Sequence, residues 1–315
     1  MVSIIIPCKS INKYVLECIE SCKQLDYKNF EIILLPDVYK GNNLKNVKVI
    51  PTGPKTPGAK RNIGTRHAKG EILAFIDSDA RPQREWLKNA VKYLNSPDIA
   101  AVGGPGLTPS DDTLLQKASG YVYELTSIAN LSTRYKTAKA RYSDDIHSCN
   151  FIVKKSILEK VGGWNEKYWP GEDTLLCQAI SQAGWKMLEA SDVIVYHHRR
   201  PVLIPHLKQV TQYALHRGFF AKKFKGNSLK PVYFIPSLII ITIIMGLLLS
   251  FVNPFFRILF LLSFSSYLFL LFILAVIKVK EKKIVPLVWI TTVITHLAYG
   301  IYFLYGLVIK RELKR

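Results

Sequence analysis

Short apolar runs alternate with amphipathic stretches along the first 230 residues. The runs are rich in β-branched residues and are bounded by Gly, Pro or Asp, whereas the stretches carry apolar residues at helical spacing. They predict strands at 3–7, 30–35, 47–51, 71–77 and 99–104, and helices at 12–23, 58–68 and 83–94. Because such runs are typical of strands covered on both faces, we predict an α/β domain with a mainly parallel sheet.

The pattern changes after residue 230. Three apolar runs follow, at 231–252, 255–277 and 284–309, and each approaches or exceeds the roughly 20 residues of a membrane-spanning helix. Basic residues just before the first run favour a cytoplasmic location for everything that precedes it. A third full crossing would put the basic C-terminus outside, against the same rule. The sequence leaves open whether the last run spans, re-enters or lies at the interface.

Composition narrows the possible partners. The 315 residues carry a net charge of +20 and are 49% hydrophobic, which excludes intrinsic disorder. Five Cys without a C-x-x-C pair indicate neither a disulfide framework nor a zinc site. Eight basic and no acidic residues lie between 199 and 230, with apolar residues at helical spacing from 206 to 224. We therefore predict an interfacial amphipathic segment on anionic lipid and no nucleic-acid partner, since the densest cationic run adjoins the membrane.

Acidic residues stand where a parallel sheet binds its ligands, at the carboxyl ends of strands. Asp77-Ser78-Asp79 ends the strongest predicted strand, and two carboxylates at this spacing suit Mg²⁺ or Mn²⁺. The alternative is that an aspartate caps the next helix. The chain has no G-x-G-x-x-G and no P-loop, which counts against a dinucleotide site and an NTPase site.

A second acidic pair, Glu172-Asp173, follows Gly171 and opens an amphipathic stretch at 174–183. A carboxylate in such a place can act as a general base that takes the proton of an attacking hydroxyl group. The alternative is that both acids only compensate the helix dipole.

Several motifs occur together in a characteristic order. They are SIIIP (3–7), GAKRNIG (58–64), FIDSDA (75–80), GGW (162–164), PGEDTLL (170–176) and VYHHRRP (195–201). In this order and spacing, the chain from Val2 to about Phe224 resembles the family 2 glycosyltransferases, which are inverting, nucleotide-sugar-dependent enzymes with a Rossmann-like GT-A fold. The last two motifs and the C-terminal runs look most like the succinoglycan-type membrane glucosyltransferases of bacterial exopolysaccharide assembly.

The resemblance implies a donor site. Asp37 matches the acid that accepts from the base, although its usual acidic neighbour is Pro36 here. Asp77 and Ser78 would contact the diphosphate, and Asp79 is the firmer metal ligand, with Asp77 beside it. The remaining donor-binding residues implied by the resemblance are Pro7, Lys9, Lys60, Arg61, Asn62, Arg199 and Arg200. For the last two, a juxtamembrane charge run is an equal alternative.

The resemblance also implies the catalytic and acceptor residues. Asp173 would be the base, and Glu172 an orienting or acceptor-binding neighbour. Trp169 would stack on the acceptor sugar, whereas Trp164 and Trp185 are expected in the core. As a third metal ligand we prefer His198, with His197 as the competitor; the alternative is that both histidines only cap the strand.

A last motif bears on processivity. Processive synthases carry Q-x-x-R-W, whereas this chain has Gln212, four intervening residues, Arg217 and then Gly218. This departure favours the addition of a single sugar.

These expectations describe a multi-pass cell-membrane enzyme with three parts: a GT-A domain (1–198), a basic interfacial segment (199–230) and an anchor (231–315) of two or three helices. It would move one sugar from a nucleotide-diphosphate sugar to a lipid-linked saccharide on the cytoplasmic face during cell-surface glycan assembly. The expected donor is a UDP-sugar. The alternatives are transfer directly to polyprenyl phosphate and, in another class, a non-catalytic scaffold with a degenerate transferase domain.

Overall fold

The computed structural model describes residues 1–41, 44–126, 134–137 and 139–313. The chain divides into two compact units. The first contains residues 1–109 and 132–198, and the second contains 110–131 and 199–314. The segment 110–131, which the predicted boundaries include in the transferase domain, clusters with the C-terminal helices.

Strands and helices follow the predicted pattern closely in the first 100 residues. The strands are β1 (Val2–Pro7), β2 (Phe30–Leu35), β3 (Lys48–Val49), β4 (Ile72–Ile76), β5 (Ala80–Pro82), β6 (Ile99–Gly103), β7 (Gly106–Leu107), β8 (Arg141–Tyr142), β9 (Asn150–Lys154), β10 (Lys186–Glu189) and β11 (Val195–His197). The helices are α1 (Lys13–Lys23), α2 (Pro57–His67), α3 (Trp86–Leu94), α4 (Leu114–Thr126), α5 (Lys155–Lys160), α6 (Glu172–Gln182), α7 (Ile204–Lys223), α8 (Ile235–Ser250), α9 (Pro254–Lys278) and α10 (Val285–Leu304).

The first unit is built on an eight-stranded sheet with the order β3-β2-β1-β4-β9-β6-β10-β8. Strand β1 pairs in parallel with β2 and β4, and β6 pairs in parallel with β10. Strand β9 runs antiparallel between β4 and β6. It was not predicted, because its apolar run of three residues is too short to distinguish a strand from a loop. The sheet is still mainly parallel, so the predicted fold class is confirmed.

Helices cover both faces of this sheet, which explains why its strands are apolar throughout. Ile4 and Ile6 of β1 pack with α1 and α3 in one buried cluster, whereas Ile5 points to the other face and packs in the cluster that includes α6. Since successive side chains of a strand alternate between faces, both faces of β1 belong to the core.

A second, three-stranded sheet has the order β5-β11-β7. In its antiparallel pairing with β5, the end of β11 places His197 opposite Ala80, and the backbone N–H of His198 donates to the carbonyl of Asp79 at 3.0 Å. This pairing brings a histidine 118 residues away in the chain next to the acidic end of β4.

The second unit is helical. It contains α4, α7 and three segments long and apolar enough to cross a membrane, judged by length and composition: Pro231–Ser250, Pro254–Lys278 and Lys282–Ile309. The last ends in a π-helical turn (Tyr305–Ile309). Helix α7 packs against α10 so closely that a Cβ on Gly218 would lie 2.1 Å from the carbonyl oxygen of Phe303. No side chain fits there, which gives a steric reason for glycine at the position of the processive tryptophan.

Candidate active site

A cluster of two carboxylates and an imidazole lies at the end of β4. The nearest ligand atoms of Asp77, Asp79 and His197 all lie within 4.8 Å of one another, and His197 Nε2 is 3.1 Å from Asp79 Oδ1. The three side chains are 31%, 23% and 18% exposed, so the cluster is partly open to solvent. Oxygen ligands with one imidazole form a donor set that suits Mn²⁺ or Mg²⁺.

The histidine of this cluster is His197, which corrects the preference for His198. His198 Nε2 lies 3.2 Å from Glu17 Oε2, and its ring centroid lies 4.5 Å from that of Tyr14, both on α1. Neighbouring residues at the end of a strand point in different directions, so only one of the two imidazoles faces the aspartates. The sequence offered no signal that α1 provides the partner of the other.

A buried lysine, Lys60, binds Asp37, the residue predicted to accept a hydrogen bond from the nucleotide base. Lys60 is 3% exposed, and its Nζ forms a close ion pair with the Asp37 carboxylate and donates to the Cys8 and Leu35 carbonyls at 2.5 and 3.2 Å. It thereby ties the ends of β1 and β2 together. The Asp37 carboxylate remains 19% exposed, and the Asp37 N–H donates to the carbonyl of exposed Lys9 at 3.1 Å, just after Pro7.

Arg61 connects the two acidic pairs. Its guanidinium donates to Glu172 Oε1 at 2.7 Å, to Asp77 Oδ1 at 2.8 Å and to Ser148 Oγ at 3.1 Å, and lies 4.8 Å from the ring centroid of Trp164. The residue is only 2% exposed. Burial lowers the pKa of Arg61, but Asp77 and Glu172 raise it more, so the guanidinium stays charged. Arg61 therefore lies buried beneath the acidic side chains, and its predicted contact with the nucleotide stays a prediction.

The second acidic pair opens α6. Gly171 precedes it with a φ of 108°, in the left-handed region that favours glycine. Glu172 points inward and is 3% exposed, whereas Asp173 is half-buried. Asp173 accepts from the backbone N–H groups of Thr174 at 2.8 Å and Ser148 at 3.2 Å. The pair thus separates into one interior carboxylate and one that meets solvent.

The two carboxylates differ in ionisation as well. Burial above all, and the neighbouring charge of Asp173 in addition, raise the pKa of Glu172 to about 7 against the opposing effect of Arg61. A buried carboxyl group held by arginine suits orientation of the helix start better than contact with an acceptor.

The remaining predicted residues divide between the core and the surface. The amide of Asn62 accepts from the Trp164 N–H at 2.9 Å and donates to the Trp164 carbonyl at 2.8 Å, so it fixes a loop. Trp164 is 2% exposed, and Trp185 packs partly buried beside the same core cluster. Trp169 is 57% exposed, two residues before Gly171, and Ser78 is half-buried between the two aspartates.

Arg199 and Arg200 belong to the second unit. Arg199 is 7% exposed, its N–H donates to Asp112 Oδ2 at 3.3 Å, and its guanidinium lies 5.7 Å from the ring centroid of Tyr123. Arg200 is exposed. Their contact with a diphosphate stays a prediction.

Ser148 and Glu17 were not among the predicted residues. Ser148 precedes β9 and positions Asp173 through its N–H, and Glu17 accepts from His198 and pairs with Arg81. Neither residue lies in a motif, so only the folded chain reveals them.

Comparison with known proteins identifies a family and several relatives. Residues 3–162 match the family described as Glycosyl transferase family 2. Glycosyltransferase AglE of Haloferax volcanii is 28% identical over 145 residues, which are 45% of this chain and 44% of that protein. Dolichyl N-acetyl-alpha-D-glucosaminyl phosphate 3-beta-D-2,3-diacetamido-2,3-dideoxy-beta-D-glucuronosyltransferase of Methanococcus voltae is 21% identical over 251 residues, 72% of this chain and 76% of that protein.

Two solved structures share the fold. The mannosyltransferase PcManGT from Pyrobaculum calidifontis, in complex with GDP-Man and Mn²⁺, superposes with a TM-score of 0.67 at 18% identity, covering 99% of this chain and 88% of that one. GalNAc-T7 with UDP, GalNAc and Mn²⁺ gives a TM-score of 0.51 at 16% identity, covering 70% and 49%. The succinoglycan-type specificity stays a prediction.

Proposed function

Because the chain belongs to glycosyl transferase family 2, we propose that it is a membrane-anchored, metal-dependent inverting transferase that moves one sugar from a nucleotide-diphosphate sugar to a lipid-linked saccharide. One observation carries the proposal. The Arg61 guanidinium joins Asp77, in the aspartate-histidine cluster, to Glu172, next to Asp173. The metal-type cluster and the candidate base are therefore parts of one site.

The residues take the following roles. Asp173 accepts the proton of the acceptor hydroxyl while that oxygen attacks the anomeric carbon and the nucleoside diphosphate leaves. Its two hydrogen bonds from the backbone N–H groups of Thr174 and Ser148 fix the orientation of the carboxylate. Asp77, Asp79 and His197 would hold Mg²⁺ or Mn²⁺, which supplies positive charge to the diphosphate leaving group.

The donor half of the site rests on the ends of β1 and β2. The partly exposed Asp37 carboxylate, fixed by buried Lys60, accepts a hydrogen bond from the base. The two solved structures of this fold hold GDP-Man and UDP, respectively. We retain a UDP-sugar as the donor to test first and a GDP-sugar as its comparison.

A lipid-linked acceptor and a cytoplasmic site are supported by the second unit and by one relative. Three helices are apolar and long enough to anchor the chain, and a basic segment precedes them. The Methanococcus voltae relative is named for transfer to a dolichyl phosphate-linked sugar. Trp169, which is exposed near the start of α6, would stack on the acceptor sugar.

A donor and acceptor screen tests the proposal. The full chain in lipid nanodiscs is given UDP-, GDP- and dTDP-sugars with Mg²⁺, Mn²⁺ or EDTA, and nucleotide release is measured. Each donor is paired with a lipid-linked saccharide extract, polyprenyl phosphate alone or a soluble saccharide. We expect release that needs the metal and the lipid-linked saccharide.

The other outcomes separate the alternatives. Release with polyprenyl phosphate alone assigns the enzyme to charging the carrier directly. Transfer only to a soluble saccharide contradicts the lipid-linked acceptor. Absence of release with every donor favours the non-catalytic scaffold.

A further inference from the structure

Helix α10 runs alongside α7, in the same direction. His206 Nε2 of α7 lies 3.1 Å from Thr295 Oγ1, a Cβ on Gly218 would touch the Phe303 carbonyl, and Lys222 Nζ donates to the Lys310 carbonyl at 2.6 Å. The residue numbers of these contacting pairs increase together along both helices, so the two helices are parallel. At 1.5 Å per residue, the 16 steps from His206 to Lys222 make the shared length about 24 Å.

Helix α7 is not itself apolar enough to cross a membrane, and it is not among the three candidate spans. Lys208 and Gln212 are exposed in its first half, and Arg217 follows five residues after Gln212, 4.5 Å from the ring centroid of Tyr233. Charged side chains in the hydrocarbon core are costly. A helix α10 that crossed the bilayer would carry this length of α7 into the hydrocarbon with it.

Both ends of α10 are held by polar elements. Before its first turn, Glu281 accepts from Tyr121 Oη at 2.9 Å and pairs with Lys117 at 3.6 Å, both on the amphipathic α4. After its last turn, Lys310 meets Lys222. These contacts place the two termini of α10 against helices whose charged side chains require water or headgroups.

The end of α10 also lies beside the start of α8. The Phe303 ring centroid is 4.9 Å from that of Phe234, and Ser237 Oγ donates to the Gly300 carbonyl at 3.0 Å. Three full crossings would put the beginning of the first span and the end of the third on opposite sides of the bilayer. Helix α10 is therefore incompatible with a third crossing.

Helices α8 and α9 differ from α10. They pack on each other, with Gly246 against the ring of Phe260, and most of their large apolar side chains are exposed. At the turn between them, Phe251 and Val252 are 76% and 77% exposed. Such a hairpin needs hydrocarbon around it, and its two helices are long enough to cross and return.

From these contacts we propose that only α8 and α9 cross the membrane, and that α10 lies with α7 in the plane of the membrane surface. The exposed apolar side chains of Ile290, Ile301 and Val308 enter the boundary between headgroups and acyl chains. The basic residues at both ends, Lys282–Lys283 and Lys310–Arg311, meet anionic headgroups. The surface formed by α7 and α10 is thus a docking face for an anionic lipid leaflet, and the positive-inside rule holds throughout.

Cysteine labelling tests the topology independently of activity. All five native cysteines are buried, so the unaltered chain gives the background. Lys223→Cys, Val252→Cys and Glu312→Cys are introduced singly into the full chain in sealed vesicles and treated with a membrane-impermeant maleimide before and after detergent. We expect Glu312→Cys to label on the same side as Lys223→Cys, and Val252→Cys to label on the opposite side.

Two results overturn the inference: labelling of Glu312→Cys on the side of Val252→Cys, or labelling of Val252→Cys on the side of Lys223→Cys. Spin labels at Ile290→Cys, Ile301→Cys and Val308→Cys provide a second measurement. An in-plane helix gives three similar, shallow immersion depths. A spanning helix gives depths that differ by up to about 27 Å over these 18 residues.

Discussion

The two acidic pairs of the first unit, Asp77/Asp79 and Glu172/Asp173, each consist of two carboxylates but have different surroundings. Asp77 and Asp79 end a strand, are both partly exposed and share their cluster with His197. Glu172 and Asp173 open a helix, and only Asp173 meets solvent. In each pair, one carboxylate, that of Asp77 or that of Glu172, accepts a hydrogen bond from the Arg61 guanidinium.

This difference shows how one fold prepares carboxylates for two tasks. A metal site needs several negative oxygens close together. Partial exposure lets water screen the repulsion between these oxygens until a cation binds. A general base needs one ionised carboxylate. The neighbouring carboxylate, that of Glu172, is buried instead, and the buried Arg61 guanidinium compensates its charge. Arg61 serves both ends and couples the position of α6 to the end of β4.

The largest effect is expected from Asp173→Asn, because an amide does not accept the proton of the acceptor hydroxyl. We expect kcat to fall by about 10²- to 10⁴-fold with donor affinity unchanged. The measurement is product formation together with calorimetric donor binding. Glu159→Gln, an exposed acid on α5, is the matched control and keeps full activity. Turnover retained in Asp173→Asn would remove this residue from the role of base.

Arg61→Met breaks the connection between the pairs. It leaves the Glu172 carboxylate buried without its partner, and removing one member of a buried ion pair costs about 3–5 kcal/mol. We expect a lower thermal unfolding midpoint of the first unit, followed by near-UV circular dichroism in detergent. Arg66→Met, on the exposed side of the same helix, serves as control.

The double variant Arg61→Met/Glu172→Gln sharpens this result. With the buried charge gone as well, part of the lost stability returns. An unfolding midpoint as low as that of Arg61→Met alone would contradict the assigned pairing.

Stability should also depend on pH through Glu172. Burial raises its pKa from 4.5 to about 7, so between these values the folded chain holds a proton that the unfolded chain releases. The contribution of Glu172 to the free energy of unfolding therefore falls as pH rises from 4.5 to 7, by up to about 3 kcal/mol, and is constant above. Comparing the unfolding midpoint of Glu172→Gln with that of the parent across this range isolates the effect. Parallel pH profiles would contradict it.

The smallest expected effect distinguishes the two histidines. His197→Ala removes an imidazole beside Asp79, and we expect Mn²⁺ affinity to fall on the order of 10- to 100-fold. His198→Ala, which loses its contact with Glu17, should weaken Mn²⁺ much less. Titration with Mn²⁺ in the presence of a nucleoside diphosphate, followed by electron paramagnetic resonance, measures both. Equal losses would reject His197 as the specific ligand.

Much of the site was predictable because its acidic members follow strongly patterned elements. The apolar run of β4 fixes where Asp77 and Asp79 emerge, and Gly171 marks the turn that presents Asp173. Arg61 lies in a recognisable motif, but the motif did not indicate the direction of its side chain. Its position on α2 does not reveal whether a long side chain reaches the surface or folds under it.

By itself, the sequence determined the α/β class, the acidic ends of its elements and three apolar C-terminal helices, because periodicity and composition act locally along the chain. The tertiary structure decided that β9 enters the sheet antiparallel, that His197 rather than His198 faces Asp79, and that α10 packs beside α7. These outcomes depend on contacts between residues far apart in the chain, where strand register and close helix packing select one arrangement among several that local patterns permit equally.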